Sequence, residues 1–166
     1  MTKYSRFLIV CLLAISPIVS TAQTNTAAYY NYEVECLGVE LDGSQTLRAW
    51  GEGRNKKDAV EQAKKNAVRA VVFKGIQGGL QGCNTKPVLL EVNAEEKYED
   101  YFNVFFMDNG EYLKYVSMKD EKRTSLFTKD KEKEKSKHFV KYGITVRVLR
   151  SELKKRFEED NIIPKK

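Results

Sequence analysis

The chain holds a single histidine, His138, and three cysteines, Cys11, Cys36 and Cys83, among 166 residues. That scarcity excludes most transition-metal chemistry, because a site built from imidazole and thiolate needs three or four such ligands. It also narrows nucleophilic catalysis. A Ser–His–Asp arrangement would have to recruit His138, and no nucleophile-elbow sequence surrounds any serine. A Cys–His couple needs a free thiol. His138 opens an alternating strand on its apolar side, so it reads as a structural histidine. Paired carboxylates occur, as at Glu95-Glu96 and Glu158-Glu159-Asp160, but on polar stretches without an apolar pocket to raise a pKa. The sequence therefore assigns no catalytic residue, no metal ligand and no cofactor. Past residue 22 it also lacks any apolar run of the roughly 20 residues that a bilayer span requires.

What is present at the start is a pattern. Lys3 and Arg6 precede an apolar stretch from Phe7 to Val19, and Ser20-Thr21-Ala22 supplies small residues before Gln23. A basic start, a short apolar core and a small-x-small exit predict an export signal, residues 1–22, cleaved near Ala22. Ser16-Pro17 breaks the run and argues against a membrane anchor. Val10 stands where a lipid-modified Cys11 would want a small residue. Residues 23–166 then form one domain, periplasmic or secreted. The signal removes two of the 29 basic residues and none of the 23 acidic ones, leaving a surplus of four. So mild and interspersed a balance does not by itself point to nucleic acid. Cys11 leaves as well, and the remaining Cys36 and Cys83 are an even pair in an oxidising compartment. Their bond would stabilise the fold by about 4 kcal/mol in the chain-entropy model; the alternative is two buried thiols.

Patterning predicts an α+β domain. It has an antiparallel sheet of about five strands, two main helices on one face and a short C-terminal helix. From Tyr30 a strand alternates through Tyr32, Val34 and Cys36, then slips phase at Leu37-Gly38, as at a β-bulge, so that Val39 and Leu41 carry the apolar face. Asp42-Gly43 is a hairpin turn into a strand from Gln45 to Gly51. Asn55 caps a helix whose apolar stripe is Ala59, Ala63, Ala67, Ala70 and Val71, closed by Lys74-Gly75. Gly75 to Pro87 is too rich in glycine for regular structure. Asn93 then caps a second helix bearing Tyr98, Tyr101, Phe102, Phe105 and Phe106. Strands are predicted over Tyr112–Val116, 124–128 and 138–148, with the charged run 129–137 as a solvated turn. Ser151 caps a final helix with Leu153 and Phe157 inward.

Three places invite a ligand. Gly51-x-Gly53 before a helix hints at a phosphate loop, yet Lys56 stands where a third glycine belongs, and close packing of helix on sheet explains the glycines. Arg54, Lys56 and Lys57 at the same helix start are candidate anion-binding residues, able to grip phosphates with the helix-end amides. That segment, with Ala63 and Ala67 following, looks like the last strand and helix of a double-stranded-RNA-binding domain, but the chain has no room for the preceding elements. Tyr101 and Phe105 are candidate partner-facing aromatics, since Tyr101-Phe102 and Phe105-Phe106 are adjacent pairs and both members cannot point one way.

A broader resemblance covers most of residues 23–166. A strand pair, Gly51-x-Gly53, the Asp58-Ala59-x-x-x-Ala63-x-x-x-Ala67 helix, an aromatic second helix and a late alternating strand running into a short helix resemble one group of exported envelope domains. These are related to the N-terminal domain of flagellar assembly protein T and to small outer-membrane lipoproteins. The resemblance implies a non-enzymatic α+β module that scaffolds or docks within the cell envelope, and it carries over no functional residues. The expected function is a non-catalytic exported envelope protein that binds another envelope component, a protein or other material, with nucleic acid disfavoured. The alternatives are a polyanion binder through Arg54, Lys56 and Lys57, and a secreted hydrolase of unfamiliar site.

Overall fold

Asp42-Gly43 turns the chain between β1 (Val34–Val39) and β2 (Gln45–Gly53), as its turn chemistry predicts. Gly43 adopts φ 79°, and Asp42 Oδ1 accepts from the Ser44 hydroxyl at 2.6 Å and the Ser44 backbone N–H at 2.8 Å. Those two bonds hold the Asp42 carboxyl below its ordinary pKa. The structure, a computed structural model, describes residues 34–119, 133–135 and 140–164, all within a compact unit spanning Asn31–Lys166. The remaining strands are β3 (Gly78–Gly79), β4 (Val116–Ser117), β5 (Lys133–Lys135) and β6 (Val140–Val148). Their order is β3-β1-β2-β6-β4, with β5 beside β6 on the edge that β4 also uses.

The backbone of the sheet is the pair β2 and β6, antiparallel over nine positions from Gln45↔Val148 to Gly53↔Val140. This register puts Leu47, Ala49 and Gly51 with Val146, Ile144 and Tyr142 on one face. The ladder between β1 and β2 shifts between Cys36 and Gly38, the bulge foreseen from the phase slip. All pairings are antiparallel except β3 with β1, which is parallel and two residues long.

Onto that face lies α1 (Lys56–Arg69). Asn55 has extended backbone and its side chain accepts from the Asp58 N–H at 3.0 Å, so the helix starts where the cap predicts. Ala59, Ala63 and Ala67 are fully buried. A Cβ on Gly51 would sit 2.2 Å from the Ala59 carbonyl oxygen and 2.3 Å from the Ala63 nitrogen, so only glycine lets the helix backbone come this close. The helix continues through a π-helical turn, Ala70–Lys74, in which Gly75 N–H reaches back to Ala70 O at 2.7 Å. The carbonyls of Val71 and Val72 accept instead from Val88 N–H (3.0 Å) and Leu89 N–H (2.9 Å). Arg150 then bridges Val71 O (3.3 Å) and Pro87 O (3.2 Å), and burial draws its guanidinium below its usual pKa.

Rings fill the other end of the core. The predicted second helix is split at Tyr98 into α2 (Ala94–Lys97) and α3 (Glu99–Phe105), and Asn93 lies in the left-handed region without a side-chain cap bond. Phe102 meets Phe73 edge-on at 4.8 Å and Phe157 of α4 (Arg150–Glu159) at 5.8 Å. The segment predicted as a strand over Tyr112–Val116 is a 3₁₀ turn, Glu111–Tyr115, followed by β4. Three residues per turn set Tyr112 and Tyr115 on one side, where they meet Phe106 and Phe105, each at 5.9 Å.

Further corrections concern loops and caps. Within the glycine-rich segment, the two-residue strand β3 is order that the glycine content did not suggest. β5 falls inside the charged run read as a turn, its Lys133, Glu134 and Lys135 opposite Tyr142, Lys141 and Val140. Leu149, not Ser151, precedes α4, and the Ser151 hydroxyl donates to Asp42 O at 3.3 Å. Leu153 and Phe157 are fully buried as expected. The predicted export signal 1–22, the start of the first strand over 30–33, the strand over 124–128 and His138 lie outside the described residues.

Candidate interaction surface

The turn from β2 into α1 sets Arg54, Lys56 and Lys57 on the surface but does not converge them on one point. Arg54 pairs with Asp58, Nε to Oδ2 at 3.6 Å. Lys56 Nζ lies 4.9 Å from the Tyr142 ring, a cation–π contact across to β6, while Lys57 is exposed. Asp58 Oδ2 also accepts from Asn55 Nδ2 at 3.0 Å, so a carboxylate sits among the candidate anion-binding residues. Further along the wet face of α1 each cation meets an acid. Lys64 bonds Glu61 at 2.8 Å, Lys65 bonds Asp108 at 2.6 Å and Arg69 pairs with Glu95. This arrangement disperses positive charge instead of concentrating it for a phosphate chain.

Phe105 is 2% exposed, which corrects its reading as partner-facing. The argument from adjacent rings assumed one covered side, whereas α3 is packed against Phe73 on one flank and Phe157 and Tyr115 on another. Phe102, Phe105 and Phe106 are consequently all buried. Tyr101 is half-buried, and its hydroxyl donates to Asp160 Oδ2 at 2.5 Å. Burial first, then the Asp160 carboxylate, pushes its pKa up. Arg156 forms an ion pair with the same carboxylate, Nε to Oδ2 at 2.8 Å, and donates to Glu111 at 3.2 Å, so the tyrosine is committed to fastening α3 to α4.

Cys36 and Cys83 are joined, their Cα atoms 5.8 Å apart across 47 positions of chain. Val39 and Leu80 lie near this bridge, and Leu41 stands in the turn past the end of β1. Val39 is 45% exposed, Leu80 is 65% exposed and Leu41 projects fully into solvent. A Cβ on Gly82 would touch Val39 Cγ2 at 3.9 Å, which places the loop tip against the end of β1. The expectation that Val39 and Leu41 would carry the apolar face is thus corrected. Val39 ends β1 opposite Gln45 yet stays exposed, and Leu41 lies past the strand in the turn. Leu80 had no periodicity to betray it; its only signal was one leucine among glycines.

Among the described residues no group of three His, Cys, Asp or Glu could hold a metal ion, and no helix is long and apolar enough to cross a membrane. No family model, no curated protein and no solved structure matches the chain.

Proposed function

We propose that this is a non-catalytic exported protein that binds another protein of the cell envelope through the apolar edge around Val39, Leu41 and Leu80. The observation that carries the reading is that edge: Val39 and Leu80 stand exposed near a disulfide, with Leu41 exposed in the turn that follows β1, a combination suited to an interaction site. The bond suits an oxidising compartment, and residues 1–22 have the pattern that would deliver the chain there. The resemblance to the flagellar assembly protein T domain and to envelope lipoproteins points to the same scaffold role. A photo-crosslinking residue at Leu41 or Leu80 in intact cells is expected to capture one envelope protein from both positions, and the mature chain to begin at Gln23. The same probe at Lys154 on α4 should not capture it. Native protein beginning at Met1, or adducts with ribosomal material alone, would overturn the proposal. The polyanion alternative is tested separately, since Lys56→Ala with Lys57→Ala and rising salt should leave envelope binding unchanged.

A further inference from the structure

We infer that the Cys36–Cys83 bond is a redox latch on the outer edge of the sheet, and that a dithiol opens it by releasing one loop tip while the rest of the fold stays intact. The loop has two parts with different fastenings. Its base is held without sulfur: Ile76 N–H bonds Asn84 O at 3.2 Å, Gln77 Nε2 bonds Thr85 O at 2.9 Å, and Val88 and Leu89 are tied to the π-helical turn. Its tip, residues 78–83, is tied to β1 by the two-residue β3 pairing, by Leu80 N–H on Cys36 O at 2.8 Å, and by the disulfide. Gly78, Gly79, Leu80, Gln81 and Gly82 are all exposed, so burial contributes almost nothing to holding the tip. A Cβ at Gly79 would lie 2.3 Å from Cys36 O, so the tip backbone lies directly on the strand edge it covers. Without the bond, three glycines in six residues favour a disordered tip. The outward N–H and C=O of Cys36 are then uncovered, the kind of edge that native sheets shield.

The two sulfurs are not equivalent. Cys36 is 1% exposed and faces the core, whereas Cys83 is partly exposed. A thiolate of the incoming dithiol therefore attacks Cys83 Sγ, forming a mixed disulfide there. The Cys36–Cys83 bond breaks, and Cys36 leaves with the electron pair and takes up a proton. The second thiol of the reductant then attacks the mixed disulfide, closes its own ring and releases Cys83. Two electrons and two protons pass to the cysteine pair and the dithiol is oxidised.

Hydrogen exchange on the full chain, oxidised and then reduced with dithiothreitol, tests the inference. At labelling times of seconds, peptides covering 34–39 and 78–83 are expected to exchange at least about tenfold faster after reduction, with 56–69 and 140–148 still protected. After reduction Cys83 should be alkylated by iodoacetamide about tenfold faster than Cys36. The variant Cys83→Ser should show the same local loss of protection without reductant. An unchanged tip would overturn the inference, as would loss of protection throughout α1 and β6, or equal alkylation of the two thiols.

Discussion

Along α1 the sheet is covered by methyl groups: Ala59, Ala63 and Ala67 lie against a strand that has glycine at 51 and 53. Past Ala70 the same core is filled by rings, with Phe73, Phe102, Phe105, Phe106, Tyr112 and Phe157 in mutual contact. In the first region backbone touches backbone, so there is no side chain to move aside when an atom is added. In the second, each ring occupies space that only another large side chain could fill. The seam should therefore fail when atoms are added and the ring layer when they are removed.

The largest effect is expected from Gly51→Val. Its Cβ alone would meet backbone atoms of Ala59 and Ala63 at 2.2 and 2.3 Å. Neither atom can swing away without dislodging α1, so the cost should exceed about 4 kcal/mol, a large share of the roughly 5–15 kcal/mol by which domains are stable. Thermal unfolding followed by circular dichroism should show no cooperative transition. Adding Ala63→Gly should recover little, because the clash with the Ala59 carbonyl persists. A Gly51→Val protein melting near the parent temperature would break the comparison. Next comes Phe102→Ala, which removes the ring that links Phe73 to Phe157 and should cost about 3–5 kcal/mol in urea unfolding. Phe102→Leu should cost less than half of that, since volume is what the layer lacks.

These regions were not equally legible in the sequence. The seam could be read because its determinants are local: a cap at Asn55, methyl groups every four residues, and glycines two apart before the helix. The strand from 140 to 148 was equally clear, since strict alternation leaves one face for the core. The ring layer was recognised as apolar but misplaced in detail. Whether Phe105 and Phe106 can both be buried depends on what lies on each side of α3, and Phe73 and Phe157 come from far away in the chain. The 3₁₀ turn at Glu111–Tyr115 was missed for the same reason, since its period of three serves long-range contacts by Tyr112 and Tyr115. Of the candidate sites, the cysteine pair was readable from parity, while Leu80 comes near Val39 only because a loop distant in sequence folds beside β1.

A smaller change sharpens the comparison at the start of the seam. Asn55→Ala deletes the acceptor of the Asp58 N–H and should cost about 1 kcal/mol, while Asn55→Asp keeps the acceptor but turns the Nδ2 bond to Asp58 into a carboxylate repulsion and should fall between that cost and none. Both can be measured as shifts in urea midpoint at constant slope. An Asn55→Ala cost as large as that of Phe102→Ala would mean that the seam is held by its cap and not by its close contact.

The smallest expected effect lies where the two regions meet. Glu61, on the wet side of α1, accepts from the Tyr112 hydroxyl of the ring layer and from Lys64 at 2.8 Å. Burial acts to raise its pKa, but the bonds from Lys64 and Tyr112 outweigh it, and the carboxyl is held below its ordinary value of 4.5. Tyr112 is affected in the opposite sense, its pKa raised by burial and then by Glu61. A depressed carboxyl in the folded state contributes stability that is fully present above the ordinary value and is lost as pH falls through the folded one. Unfolding free energy should therefore decline as pH drops below about 4.5, and Glu61→Gln should flatten part of that decline. Because the pair is partly open to water, the difference near neutral pH should stay under about 1 kcal/mol. Tyr112→Phe should remove a smaller portion of the acid dependence, because the bond from Lys64 to Glu61 remains. If the two variants shift the acid limb independently and additively, Tyr112 and Glu61 do not act as one contact, and the ring layer is joined to the seam through packing alone.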